Sequence, residues 1–276
     1  MATTDHAESA GDACGGGAGR RLVAVLAVKG LDNAKSRLSP LFDAATRREL
    51  VLAMAVDTIT AAIAAGVDRV VVVTPDERVA RAVVGPSVTA VGEHGVPGTR
   101  LAATAAETAI GSGSGSDQVS GSNHESGLNR AYRIGSIAAL TQTPDAQLVL
   151  LQADLPSLRP DHLRAAVSAA TGHRRALIPD RSATGTAALL LWDTSELTTH
   201  FGPDSARLHL EQGAVDLIAD GRQWPDLRAD VDTIDDLRAA IVLGVGPRTA
   251  AVVDGITGFG GGPVVHLGAN PAPHAS

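Results

Sequence analysis

The stretch Leu148-Val-Leu-Leu-Gln-Ala-Asp-Leu-Pro-Ser-Leu158 narrows the possible folds more than any other part of the chain. Side chains along a strand alternate between two faces, so apolar residues at consecutive positions require both faces to be covered. Leu148 to Leu151 is therefore predicted to be a central strand of a sheet packed between helices. Asp154 lies just past its end, and Pro156, which cannot donate to a ladder, stops it. In open α/β sheets ligands bind in the crevice outside the carboxyl ends of the strands, which makes Asp154 a candidate working acid. Its other possible use, capping the next helix, is weakened because Pro160 and Asp161 already supply a helix start.

Similar signals recur along the chain. Leu22–Val28, Arg69–Thr74, Ser87–Val91, Arg175–Pro179, Ala187–Trp192 and Ala214–Ala219 read as further strands. Thr46–Ala65, Pro75 to Val84, Gly127 to about Leu140, Pro160–Ala170, Ala206–Gln212 and a segment launched at Thr233 and ending at Leu243 read as helices. In the first of these Leu50, Met54, Val56, Ile59 and Ile63 fall on or near the buried side. Strands alternating with helices imply βαβ units and a largely parallel sheet, an α/β fold. With 276 residues and 44% hydrophobic content, one large domain over residues 20–253 is expected. A disordered leader (1–19), a flexible Gly/Ser-rich insertion near 94–126 and a loose tail (254–276) complete the expected organisation.

Several classes of function are excluded by what the sequence lacks. A net charge of -7 without a basic stripe argues against nucleic-acid binding. The single cysteine, Cys14, permits no internal disulfide and no cysteine-rich zinc site, which suits a reducing compartment. The first residues carry no apolar signal region and no run reaches membrane-spanning length, so a cytoplasmic, membrane-free protein is expected. After the first strand comes Lys29-Gly-Leu-Asp-Asn-Ala, not Gly-x-Gly-x-x-Gly, which disfavours a dinucleotide-dependent dehydrogenase. The Gly111–Ser116 repeat lacks a Gly-Lys-Ser/Thr ending and follows no strand, so it reads as linker rather than phosphate loop.

Candidate chemistry gathers at the strand ends. Only two of the 23 basic residues are lysines, Lys29 and Lys35, and both fall in the first strand-to-helix connection together with Arg37. Either a compact ammonium is needed there, or the placement is coincidence in an Arg-rich chain. Three cations in an acidic protein, beside a glycine and hydroxyls, suit a polyphosphate. Thr184-Gly-Thr186 offers small residues and a hydroxyl, and Phe201-Gly-Pro-Asp-Ser205 puts Gly202 and Ser205 at a helix start, either as an anion site or as an ordinary cap. Asp230 and Asp232 project to one side if the chain there is extended. Thr233, by contrast, has a structural use in a capping box. Carboxylates at strand ends with a cationic loop are what phosphoryl chemistry assisted by Mg²⁺ requires. The lack of a His or Cys nucleophile constellation agrees, since such transfer depends on positioning and electrostatics.

Taken in order, Ala27-Val-Lys29, Ala34-Lys-Ser-Arg-Leu38, Leu128-Asn129, Leu151-Gln-Ala-Asp154-Leu-Pro, Thr184-Gly-Thr186, Phe201-Gly-Pro-Asp-Ser205 and Asp230-Val-Asp232-Thr resemble the phosphoenolpyruvate or 2-phospho-L-lactate guanylyltransferases of coenzyme F420 biosynthesis. The resemblance spans about Leu22 to Val253; the segment before Leu128-Asn129 is longer than in that family. It implies the nucleotide-diphospho-sugar transferase (GT-A-like) fold, with a mostly parallel central sheet flanked by helices. It also implies GTP as donor, a phosphorylated three-carbon acid as acceptor, Mg²⁺, and hand-over of the product to the next transferase of the pathway. By the same resemblance Lys29, Lys35 and Arg37 would hold the triphosphate and act in catalysis with Asp154. Asn129 would contact the nucleotide, Asp154, Asp230 and Asp232 would bind the metal, and Thr186, Gly202 and Ser205 would hold the acceptor. The Arg- and Ala-rich composition suggests a high-GC bacterial genome, and bacterial members of the family are associated with phosphoenolpyruvate. The alternatives are 2-phospho-L-lactate or 3-phosphoglycerate as acceptor, another nucleotidyltransferase of the same fold such as a molybdenum-cofactor guanylyltransferase, and a non-catalytic nucleotide-binding module.

Overall fold

The computed structural model describes residues 20–93, 126–218 and 223–256. The leader, residues 94–125 of the expected insertion, the tail beyond residue 256 and the expected strand end at Ala219 lie outside these. In chain order the elements are β1 (Leu22–Ala27), α1 (Ala44–Ala64), β2 (Arg69–Val73), α2 (Glu77–Val83), β3 (Val88–Val91), α3 (Gly127–Gln142), β4 (Gln147–Leu151), α4 (Pro160–Ala169), β5 (Arg175–Pro179), β6 (Thr186–Leu191), α5 (Ser205–Glu211), β7 (Val215–Asp216), α6 (Ile234–Leu243) and α7 (Pro247–Asp254). Short 3₁₀ turns occupy Leu31–Asn33, Ser36–Leu38 and Pro225–Arg228.

Seven strands form one sheet in the order β3-β2-β1-β4-β6-β5-β7. The apolar runs are covered on both faces, as consecutive hydrophobicity demands. Leu22, Ala24, Leu26, Val149 and Leu151 enter the core beneath α1, whereas Val23, Val25, Leu148 and Leu150 enter the core beneath α3. β1 pairs in parallel with both β2 and β4. The chain moves outward from β1 through β2 to β3, then returns to the other side of β1 as β4. The crevice between the carboxyl ends of β1 and β4 is therefore the topological switch point.

Within the mostly parallel sheet β6 runs against both its neighbours, β4 and β5. Only residues 180–185 join β5 to β6, too few for the crossover that a parallel partner would need. Reversal carries the beginning of β6, and with it Thr186, to the edge of the sheet where β4 ends. The expected strand at Ala214 reduces to the two paired residues of β7.

Helix limits follow local capping. Asp43 accepts from the Thr46 amide at 2.8 Å to start α1, Ser126 accepts from the Asn129 amide to start α3, and Thr233 forms the expected reciprocal box with Asp236. Of the apolar positions assigned to α1, Leu50, Met54 and Ile59 are buried, but Ile63 in the last turn is 37% exposed. α7 falls partly within the segment expected to be tail and carries no cap of its own. Asp57 of α1, itself buried, accepts from the amides of Arg248 at 3.1 Å and Thr249 at 2.7 Å and so caps α7 from across the core.

α3 lies close to the sheet because of Gly135. A Cβ there would come 2.4 Å from Val25 Cγ1 and 2.8 Å from Val73 Cγ2. Gly135→Ala is expected to destabilise the protein by about 1–3 kcal/mol through overpacking, although the exposed equivalent would gain about 1 kcal/mol of helix propensity. Urea unfolding measures the balance; an unchanged or raised midpoint would show that α3 withdraws from the sheet at little cost.

Candidate active site

Most residues singled out in the sequence meet around one cleft of about 660 Å³ at the switch point. Lys29, Lys35 and Arg37, then Asp154, Asp230 and Asp232, and a wall of Thr186, Gly202 and Ser205 all line it.

The cationic loop is shaped by the two 3₁₀ turns that follow β1. Lys35 joins them with a left-handed backbone (φ 51°), which turns its side chain inward. Its side chain is 14% exposed, and its ammonium donates to Asp154 Oδ2 in a very short contact and to Asp232 Oδ1 at 2.7 Å. Burial works against the charge, but the two carboxylates outweigh it and raise the ammonium above the usual lysine value. Lys29 and Arg37 are exposed at the mouth of the cleft. Of the two lysines, Lys35 is thus the one held as a compact charge between carboxylates, a geometry a planar guanidinium does not reproduce.

Asp154 caps no helix: α4 starts at Arg159 without a side-chain cap. Instead its carbonyl accepts from the Val231 amide at 3.1 Å, which docks the Asp230-Val-Asp232 segment against the end of β4. Val231 is buried between the two aspartates, while both of them line the cleft. Just before this segment, Pro225–Arg228 form a 3₁₀ turn. There the guanidinium of Arg228 donates to the carbonyls of Pro179 and Asp180. Burial, then the charges of Asp154, Asp232 and Asp180, push the Asp230 carboxyl up to about 7. Burial opposes ionisation of Asp232 too, but Lys35, then Arg37 and Lys29, hold it below the usual carboxylate value.

This donor set fits a hard divalent cation. Asp154 Oδ1 is buried without a hydrogen-bond partner, and Asp230 stands in a surplus of negative charge. Among the described residues no three His, Cys, Asp or Glu side chains converge as a ready-made cage. Mg²⁺ sites commonly use one or two carboxylates and complete the shell with water and substrate phosphate.

The wall of Thr186, Gly202 and Ser205 is held from behind. Thr186 and Ser205 are buried, and Ser205 Oγ has no hydrogen-bond partner. Gly202 has φ 132°, a left-handed conformation costly for other residues. Asn129 supports this wall and is not among the residues lining the cleft. Its amide nitrogen donates to Ser126 Oγ at 2.8 Å and Phe201 O at 3.0 Å, while its oxygen accepts from Phe201 N at 2.7 Å and Thr199 Oγ1 at 2.9 Å. These bonds make Asn129 a clamp on the Phe201-Gly202 loop. Tyr132 stacks on Phe201 with centroids 4.1 Å apart and donates to Leu151 O at 2.8 Å, joining that loop to the end of β4.

Two further residues escaped the sequence reading. Asp180 also lines the cleft, accepting from Ser182 Oγ at 2.8 Å and from the Thr184 amide at 3.2 Å. Gly185 is small for its sake, since a Cβ there would sit 2.3 Å from Asp180 Oδ2. His209 of α5 lies fully buried behind Thr186, with Thr186 Oγ1 3.0 Å from its Nδ1. The loop spacing Asp180–Thr184 is a recognisable Asx/ST-turn signal; nothing local distinguishes His209 from any helix histidine.

Among the described residues no helix is long and apolar enough to cross a membrane. A family model described as "Guanylyl transferase CofC like" matches residues 22–93. A Mycolicibacterium smegmatis protein named phosphoenolpyruvate guanylyltransferase is 41% identical over 243 residues, 88% of this chain and 95% of that one. A Nocardia farcinica protein of the same name is 41% identical over 231 residues, 83% of this chain and 89% of that one. Among solved structures, a nucleotidyl transferase from Methanothermobacter aligns with a TM-score of 0.51 at 20% identity, over 82% of this chain and 98% of that one. A Desulfovibrio desulfuricans structure of nucleotide-diphospho-sugar transferase type also aligns with a TM-score of 0.51, at 13% identity over 80% and 87% of the two chains. The fold is that of the nucleotide-diphospho-sugar transferases, as the ordered motifs imply.

Proposed function

The chain belongs to the CofC-like guanylyl transferase family, and on that premise we propose that it transfers GMP from GTP to phosphoenolpyruvate, a step of coenzyme F420 biosynthesis. A phosphate oxygen of the acceptor attacks the α-phosphorus of GTP. The bond from that phosphorus to the bridging oxygen of the β-phosphate breaks, pyrophosphate leaves, and enolpyruvoyl-2-diphospho-5'-guanosine remains. The attacking oxygen is already ionised at neutral pH, so no protein base is needed.

The observation that carries this reading is the meeting of three cations, three carboxylates and the hydroxyl residues Thr186 and Ser205 in the lining of one cleft. Lys29, Lys35 and Arg37 hold the triphosphate and bear the charge that grows on the departing pyrophosphate. Asp154 and Asp230, with Asp232 beside them, would hold Mg²⁺, which would supply positive charge to the reacting phosphate. Thr186, Gly202 and Ser205 hold the phosphorylated acid in line with the α-phosphorus, so much of the barrier is met by positioning. Asn129 serves the same end indirectly by clamping Phe201.

An acceptor panel tests the assignment. With GTP and Mg²⁺, phosphoenolpyruvate is expected to support pyrophosphate release and to give a product of the mass of its guanylyl diphosphate. Preference for 2-phospho-L-lactate or 3-phosphoglycerate would replace the acceptor, and no release with any of the three would overturn the assignment.

A further inference from the structure

Thr186 is assigned to the acceptor, but a hydroxyl helps a phosphate or carboxylate only if its hydrogen points at it. The residues behind Thr186 decide that direction. His209 is fully buried in α5, does not line the cleft, and uses both ring nitrogens. Its Nε2 lies 2.9 Å from the backbone nitrogen of His200. A backbone N–H can only donate, so Nε2 must be the unprotonated nitrogen and the ring hydrogen must sit on Nδ1. Nδ1–H then donates to Thr186 Oγ1 at 3.0 Å. A hydroxyl that already accepts this bond keeps its own hydrogen to give elsewhere, and among the described residues it meets no other protein partner. Thr186 lines the cleft, and an acceptor oxygen bound there is the partner left for that hydrogen.

From this geometry we infer that His209 is the positioning residue of the acceptor subsite, fixing the Thr186 hydroxyl as a donor toward the phosphorylated acid. The inference rests on the assignment of Thr186 to the acceptor made above. Several features keep the ring in the required state. Burial, then the nearby charges of Arg175 and His200, push His209 down to about 3, so it is neutral at neutral pH. The ring also meets the Phe201 edge-on, with centroids 5.3 Å apart, which limits rotation. The first turn of α5 is tied to the same wall, because the Ala206 amide donates to Thr184 O at 3.1 Å. The imidazole thus joins two parts of the subsite, the His200-Phe201-Gly202 loop through Nε2 and the start of β6 through Nδ1.

Two measurements test it. In ¹⁵N-histidine-labelled wild-type protein, long-range ¹H–¹⁵N correlation should show His209 neutral with hydrogen on Nδ1; hydrogen on Nε2 would overturn the inference. This spectrum needs no substrate, so it stands even if the acceptor is another acid. In steady-state kinetics His209→Gln keeps an acceptor at the Nε2 position but loses the Nδ1 donor, whereas His209→Asn keeps a donor near Nδ1. The acceptor KM should rise on the order of tenfold in His209→Gln, as for loss of one bond to a charged group, with the GTP KM within about twofold. His209→Asn should recover most of the loss, and His209→Gln should cost nothing further once Thr186→Val has removed the hydroxyl. An unchanged acceptor KM, equal shifts for both substrates, or a cost that persists in the Thr186→Val background would each assign His209 to packing alone.

Discussion

Asp154→Asn is expected to lower turnover by roughly 10²–10³-fold, the scale of losing one charged group that stabilises the transition state, while the protein stays folded. Asparagine has the shape of aspartate but not its charge. In the structure that charge faces Lys35 on one oxygen and has no hydrogen-bond partner on the other. The partnerless, buried oxygen is the most economical place for the cation. The backbone carbonyl that docks Val231 is untouched by the substitution, so Asp230 and Asp232 should remain in place. Pyrophosphate release together with a urea unfolding curve checks both halves. Near wild-type turnover in a folded variant would remove this carboxylate from the reaction.

Lys35→Met is expected to cost on the order of 10²-fold or more in kcat/KM, and Lys35→Arg is expected not to restore it. The ammonium lies between Asp154 and Asp232, so its removal leaves these two carboxylates without their paired counter-charge, in a cleft that Asp230 and Asp180 also line. Breaking a fully buried pair costs about 3–5 kcal/mol; here a loss nearer about 2 kcal/mol is expected, because the Asp232 side chain is 53% exposed and remains solvated. A divalent cation should then stabilise Lys35→Met more than it stabilises the native sequence, since it supplies the missing positive charge. Thermal unfolding with and without Mg²⁺ reads this difference. Equal stabilisation of the two proteins would separate the cation from these carboxylates.

Both substitutions fall on residues that were legible as candidates before any coordinates. Lys35 stood out as one of two lysines in an Arg-rich chain, and Asp154 as a carboxylate behind a doubly buried strand. Their contact with each other was not legible, because 119 residues separate them and only the parallel pairing of β1 with β4 brings their strand ends together. Direction in the sheet was legible only in part. The six residues between β5 and β6 are enough to infer antiparallel pairing, and that reversal explains how Thr186 reaches the cleft.

Local and distant causes divide at the same line elsewhere. Strand positions, the caps at Asp43 and Ser126 and the Thr233–Asp236 box depend on residues a few positions apart, whose chemistry a sequence displays directly. By contrast α7 depends on a cap supplied by Asp57, 192 residues from Thr249. Asn129 belongs to a motif of the family, yet its work on the Phe201 loop spans 72 residues. His209 carries no local mark at all, and its use of both nitrogens follows from two bonds that only packing creates.

By itself, then, the sequence determined the α/β architecture, the family and the chemical inventory of the cleft, because apolar periodicity, capping and ordered motifs are local properties of the chain. Tertiary structure alone decided which of those groups meet: Lys35 with Asp154 and Asp232, Asn129 with Phe201, His209 with Thr186. The physical reason is that a hydrogen bond or ion pair depends on ångström distances and on which atom carries the hydrogen. Both are set by the packing of helices on the sheet and not by separation along the chain.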